Sequence, residues 1–245
     1  MATAPVYLRV SPRQMTQDSS SRAPCAIADP RVRRVLDRLH ADAGKQTLSL
    51  VGLLGSFVGD KLRGHEPSVA EEVERLKDLY VPVSPKQGRL LYLVARSLRA
   101  QRIVEFGTSF GISTTYLAAA VRDNGGGVVV GSELEPGKVA TARRNLEEAG
   151  LSTFVDIREG DAQETLKDPG GTVDMVLLDG FKQLYLSILK MLTPALRQGA
   201  VVLADNIFTF RWALAPYVAY VQDPINGFLS VTLFLGDGME YTVRL

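Results

Sequence analysis

From residue 102 onward, apolar and polar positions alternate between two rhythms. Short runs rich in β-branched and aliphatic residues occur at 102–106 (RIVEF), 128–133 (VVVGSE), 154–158, 173–178 (VDMVLL) and 200–204 (AVVLA). Between them, at 112–122, 136–149 and 182–196, apolar residues recur at helical spacing. Apolar strands alternating with amphipathic helices predict a mostly parallel sheet covered on both faces. The tail changes rhythm. Segments 228–235 (FLSVTLFL) and 239–244 (MEYTVR) read as two strands joined through Gly236, Asp237 and Gly238. Asp-Gly between strand-like runs is a strong hairpin signal, so the sheet is expected to end in an antiparallel pair.

Upstream the pattern is less regular. Residues 1–30 read as a poorly packed arm or a partner-wrapping segment, and 31–44 as a helix. The apolar run 47–59 reads as a short helix or lid, weakened by Gly52, Gly55 and Gly59. Ser68–Tyr80 has a capping Ser68, Glu71 three residues on, and Val69, Val73, Leu76 and Leu79 near helical spacing. Pro82 and Pro85 bracket a turn before a helix at Gln87–Leu98. The chain thus divides into an N-terminal arm with helices (1–75, serving as a lid or as dimer contacts) and a sheet domain (76–245). Leu48, Leu50, Val51, Leu53, Leu54, Phe57 and Val58 give the first part more aliphatic surface than a solvated arm carries, which predicts a homodimer.

Composition removes several function classes. The 28 basic and 27 acidic residues leave a net charge of +1, without the basic excess that a duplex nucleic-acid binder carries. The single cysteine, Cys25, excludes an intrachain disulfide and suits a reducing compartment. No apolar stretch is long enough to span a membrane, and the first residues lack the apolar region of a signal peptide. A cytoplasmic location is therefore expected.

The candidate chemistry sits where strands end. The first strand runs into Glu105-Phe106-Gly107-Thr108-Ser109-Phe110-Gly111 and then directly into a helix. Gly107 permits a tight turn, Gly111 permits close helix packing, and the helix N-terminus offers free N–H groups to a polar ligand. Glu133 ends the second strand, where an acid can accept from both hydroxyls of a ribose. The loop lacks the G-x-G-x-x-G dinucleotide fingerprint, with Ser109 nearest to the missing middle glycine. It suits an amino acid–nucleoside ligand better than a pyrophosphate. Asp161, in Gly160-Asp161-Ala162 after the third strand, either faces an adenine amino group or caps the next helix. The fourth strand ends in Asp179 and the fifth in Asp205-Asn206. Two carboxylates and an amide carbonyl are hard ligands suited to magnesium, manganese or calcium, unless they cap helices and turns instead. The two histidines, His40 and His65, lie outside the sheet, which argues against a usual zinc site. Lys182, beside a metal and an apolar cofactor, becomes a general base if its pKa falls; otherwise it is a surface lysine.

Together, Glu105–Gly111, Glu133, Gly160–Ala162, Asp179-Gly-Phe-Lys182 and Asp205-Asn206 resemble the S-adenosylmethionine-dependent O-methyltransferases of the catechol and caffeoyl-CoA type, over about residues 77–245. The resemblance implies a Rossmann-like α/β sheet of seven strands, order 3-2-1-4-5-7-6, with strand 7 antiparallel and helices on both faces. It implies S-adenosylmethionine as cofactor. Glu105, Gly107, Thr108, Ser109, Gly111 and Ser113 would shape the methionine pocket, approached also by Val83 and Ser84. Glu133 would hold the ribose, and Ala162 with Asp161 or Gln163 would meet the adenine. Asp179, also beside the cofactor, would bind magnesium with Asp205 and Asn206. Lys182 would take the proton from a small hydroxylated aromatic acceptor such as a vicinal diol. Two departures stand out. Gly180-Phe181 replaces the His-Trp or Ala-Asp pair of the family, and the stretch after Asn206 (IFTFRWALAP) differs from its usual continuation. There Phe208, Phe210 and Trp212 form an aromatic substrate wall or pack against a lid. The rival readings are a metal-independent methyltransferase or binding protein of the same fold and, less well supported, a nicotinamide-dependent oxidoreductase. The chain lacks the Y-x-x-x-K arrangement of the last.

Overall fold

A computed structural model describes residues 25–45, 52, 55, 59, 63–64 and 83–245. The helix expected at Ser68–Tyr80 and the aliphatic patch behind the homodimer expectation lie outside the described residues, as does most of the expected arm. Gly52, Gly55 and Gly59 have helical backbone, in the segment read as a short helix.

The described elements are α1 (Pro30–Lys45), α2 (Pro85–Ser97), β1 (Arg102–Phe106), α3 (Ile112–Asp123), β2 (Val128–Glu133), α4 (Pro136–Glu148), β3 (Val155–Glu159), α5 (Ala162–Thr165), β4 (Val173–Leu178), α6 (Tyr185–Leu192), β5 (Leu196–Asp205), α7 (Arg211–Gln222), β6 (Phe228–Leu233) and β7 (Met239–Arg244). The strands form one sheet in the order β3-β2-β1-β4-β5-β7-β6. Strands β1 to β5 are parallel, and β7 runs antiparallel to both β5 and β6. Strand order reverses between β1 and β4, which opens a crevice at their carboxyl ends.

Side-chain alternation builds two cores. Ile103, Val129, Met175, Leu177, Val201 and Leu203 face one side, against α1 to α4. Val104, Phe106, Val130, Val176, Leu178 and Val202 face the other, against α6 and α7. Both sets are buried, and each large aliphatic side chain contributes about 1.5–3 kcal/mol. Helix α3 is buried from Ile112 to Val121, and its alanines let it lie close to the sheet. Helix α2 starts on a capping box. Ser84 Oγ accepts from Gln87 N, Gln87 Oε1 accepts from Ser84 N, and Pro85 presets the first turn.

Four features differ from expectation. The last residues of the expected arm are packed: Ala26 is fully buried and its N–H donates to Asp123 at the end of α3. Helix α1 shares the core of the sheet domain, through Val32, Val35, Leu36 and Leu39. The helix expected over 182–196 is α6 flanked by two short 3-10 turns, Lys182–Leu184 and Thr193–Ala195, the second of which contains Pro194. And α7 occupies a stretch without a helical signal, because Pro216 lies inside it and no side chain caps its start.

Candidate active site

At the β1 end, Glu105 is fully buried. Its Oε2 accepts from Thr108 Oγ1 (3.1 Å) and Thr114 Oγ1 (2.5 Å), and Ser113 also bonds to it. Its Oε1 is buried with no partner. Burial pushes the carboxyl up to about 6, against the pull of the three hydroxyls. A donor or cation arriving at Oε1 would relieve that cost, and the α-amino group of a methionine-type ligand is such a group.

The loop after β1 is shaped by backbone. Gly107 has φ +97°, and a Cβ there would sit 2.6 Å from Asp179 O, so the β1 turn presses against the β4 end. Ser109 has φ +48°, the left-handed conformation a glycine would take more easily. Its N–H donates to Glu133 Oε2 (2.7 Å), while Glu133 Oε1 accepts from Leu134 N (2.9 Å) and Glu135 N (3.0 Å). Glu133 thus ties the first two strand ends together before any ligand arrives. Gly111 starts α3 against Ala142 of α4. At the third strand end Ala162 is buried, whereas Asp161 and Gln163 are exposed. Asp161 caps α5 by accepting from Gln163 N (2.9 Å), the second of its two expected roles. Val83 is buried, and both the N–H and the hydroxyl of Ser84 are engaged in the α2 cap.

Across the crevice the structure gathers Asp179, Lys182, Asp205 and Asn206. Lys182 is no surface lysine: its side chain is 13% exposed and that of Asp179 11%. Lys182 Nζ lies 3.4 Å from Asp179 Oδ1, donates to Tyr185 Oη (2.8 Å) and sits over the rings of Tyr185 and Phe210. Tyr185 Oη in turn donates to the backbone oxygen of Asp205 (3.3 Å). Asp205 is buried, and its Oδ1 accepts from Gln87 Nε2 (2.7 Å) and Asn206 N (2.8 Å). Burial pushes both aspartates above the usual carboxylate range. Lys182 opposes the shift at both, Asp205 adds to it at Asp179, and Asp237 adds to it at Asp205. Asp237 comes from the hairpin turn, which returns to the site: Ile207 N donates to Gly238 O and Phe208 N to Asp237 O. Asn206 has φ +69°, and its Oδ1 is buried with no partner.

These features fit a divalent cation. The negative charge around Asp179 and Asp205 exceeds what Lys182 balances, and the orphaned amide oxygen is a hard donor beside them. The Gly180 departure has a steric reason, since a Cβ there would lie 2.6 Å from the Phe106 ring. Of the three aromatics after Asn206, Phe208 pairs with Phe234, Phe210 faces Lys182, and Trp212 is 59% exposed under the Arg211 guanidinium. Sequence reasoning missed Gln87, Tyr185 and Asp237 as site neighbours. The Ser84-x-x-Gln87 spacing signals a helix cap, but not the bond to Asp205.

Comparisons with known proteins place the chain in a family. A family model described as a methyltransferase domain covers residues 104–207. A catechol O-methyltransferase of Mycobacterium tuberculosis is 33% identical over 156 residues, 62% of this chain and 70% of the relative. One from Niastella koreensis is 31% identical over 158 residues, 62% of this chain and 71% of the relative. The chain belongs to the S-adenosylmethionine-dependent O-methyltransferases of the catechol type. The solved O-methyltransferase of Bacillus cereus, in complex with S-adenosylhomocysteine, superposes with a TM-score of 0.63 at 25% identity, covering 73% of this chain and 92% of that one. This methyltransferase therefore uses S-adenosylmethionine, and its sheet order is that of the family. Among its described residues, no helix is long and apolar enough to cross a membrane.

Proposed function

We propose that this O-methyltransferase acts on one hydroxyl of a small vicinal aromatic diol, with a divalent cation held by Asp179, Asp205 and Asn206. The observation that carries this reading is the buried, partnerless Asn206 Oδ1 beside two carboxylates that burial raises, Asp205 adding to the shift at Asp179. The catechol O-methyltransferase names of the two relatives above support the acceptor class.

Methyl transfer from a sulfonium is an in-line displacement: an O–CH₃ bond forms as the S–CH₃ bond breaks, and the acceptor oxygen must shed its proton. A divalent ion held by Asp179, Asp205 and Asn206 would supply Lewis-acid polarisation of the acceptor hydroxyl. Lys182 Nζ, which enters the step as the neutral amine after releasing its own proton to solvent, takes the acceptor's proton. The ammonium that results is stabilised by Asp179 Oδ1, Tyr185 Oη and the two aromatic faces. On the opposite side, Glu105 receives the amino group of the donor and Glu133 the ribose, with Ala162 and its neighbours Asp161 and Gln163 toward the adenine. Gly107 packs on Asp179, so the donor and acceptor halves share one wall.

The test of the acceptor class is a panel of initial rates on a vicinal diphenol, a single-hydroxyl phenol and a meta-diphenol. The reading expects turnover of the vicinal diphenol far above the other two. Equal rates on all three would remove the requirement for two neighbouring oxygens and with it the acceptor class.

A further inference from the structure

Gln87 is the one described side chain whose two amide ends bond separately to the Val83–Ser84 segment, expected beside the cofactor, and to a proposed metal carboxylate. Its Oε1 accepts from Ser84 N (2.9 Å), and its Nε2 donates to Asp205 Oδ1 (2.7 Å), a residue 118 positions away. The amide has one satisfactory orientation. Turned over, its NH₂ would face the Ser84 N–H and its oxygen would face the carboxylate. The side chain is 3% exposed, and the hairpin turn closes over it: Gly236 has φ +59°, and a Cβ there would sit 2.4 Å from Gln87 Cδ. With Gln87 Nε2 and Asn206 N both on Oδ1, the other oxygen of Asp205 is left for the site.

We propose that Gln87 is a positioning residue: it holds Asp205 in its metal-binding orientation and couples that orientation to the cofactor loop at Val83–Ser84. The inference rests on the metal reading above. A carboxylate pinned by two donors loses little freedom when it takes an ion. A ligand that orders Ser84 keeps Oε1 engaged and so keeps Nε2 aimed at Asp205. Cofactor and metal affinities then rise together, each by the same factor.

Gln87→Met keeps the length of the side chain and removes both amide bonds. It leaves the bond from the backbone N–H at 87 to Ser84 Oγ, and so part of the helix cap. Mn²⁺ binding, followed by electron paramagnetic resonance with and without S-adenosylhomocysteine, reads the effect well below the unfolding midpoint. Gln87→Met should weaken Mn²⁺ binding by about 10–100-fold. S-adenosylhomocysteine should tighten Mn²⁺ binding to the wild type by about fivefold or more, and this gain should shrink toward none in the variant. A purely structural role would lower the unfolding midpoint and leave the gain unchanged. If Gln87→Met does not fold, Gly236→Ala crowds the same amide from the hairpin and should shift both quantities in the same direction. Equal Mn²⁺ affinity or an equal gain in wild type and variant overturns the inference. A wild type that binds Mn²⁺ with no gain from S-adenosylhomocysteine overturns it while leaving the metal reading standing. A wild type that binds no Mn²⁺ at all overturns the metal reading itself.

Discussion

The two halves of the crevice use the same part, a carboxylate at a strand end, and treat it in opposite ways. On the cofactor side Glu133 accepts three backbone N–H bonds and Glu105 accepts three hydroxyls. On the other side burial raises Asp179 and Asp205, Asp205 adds to the shift at Asp179 and Asp237 to that at Asp205, and the neighbouring Asn206 Oδ1 has no partner. Protein groups already stabilise most of the cofactor side, with one orphan left at Glu105 Oε1. The acceptor side holds more negative charge than Lys182 offsets, and an added cation would complete it. Buried like charges are costly, and a site that keeps them must recover that cost from a ligand or from function.

The largest effect should come from breaking the acceptor side without touching its oxygens. Lys182→Ala is expected to lower kcat by about 10²–10⁴-fold while metal and cofactor binding persist, as for a general base. Lys182→Met tests the charge at similar length. Its deficit should shrink as pH rises, because ionisation of the acceptor in solution replaces the missing base. Single-turnover rates alongside calorimetric binding would check this, and a Lys182→Ala enzyme with near wild-type kcat would remove the proton-transfer role.

A smaller effect should come from the cofactor side, through Glu105. Its carboxyl is raised from 4.5 to about 6 by burial. The protonated form therefore stabilises the ligand-free fold at low pH, and that contribution is lost as pH rises from about 4.5 through 6. The gap between the two values corresponds to about 2 kcal/mol. Glu105→Gln should abolish this part of the pH dependence. It should leave the ligand-free protein more stable than wild type at pH 7, by at most that amount, and bind S-adenosylhomocysteine more weakly. Urea unfolding of both proteins at pH 5 and pH 7 measures the difference. Parallel losses of stability in wild type and variant between those pH values would contradict the burial account.

Much of this contrast is legible along the chain. The alternation at 102–106 and 173–178 reports a sheet buried on both faces, and Asp237-Gly238 reports the antiparallel end. Asp179, Lys182, Asp205 and Asn206 are legible as a group because strand ends converge in a parallel sheet. Other features depend on contacts that no local pattern carries. Gln87 reads as half of a capping box, and its bond to Asp205 exists only once β5 lies beside the start of α2. Tyr185 reads as a core aromatic, and it is one, but its hydroxyl meets Lys182 because a 3-10 turn replaces the expected start of the helix. Pro216 conceals α7, since a proline that costs a helix bond locally is tolerated once Leu214, Tyr217 and Val221 are buried. The early part of β5 is concealed by Gly199, at φ +72°.

The most direct test of the central claim is the initial rate of methyl transfer to a vicinal diphenol by enzyme stripped of divalent ions. The account predicts a rate near background with S-adenosylhomocysteine binding retained, and recovery on adding Mg²⁺ or Mn²⁺. Full activity without any divalent ion would contradict it, leaving Asp179, Asp205 and Asn206 with structural roles alone.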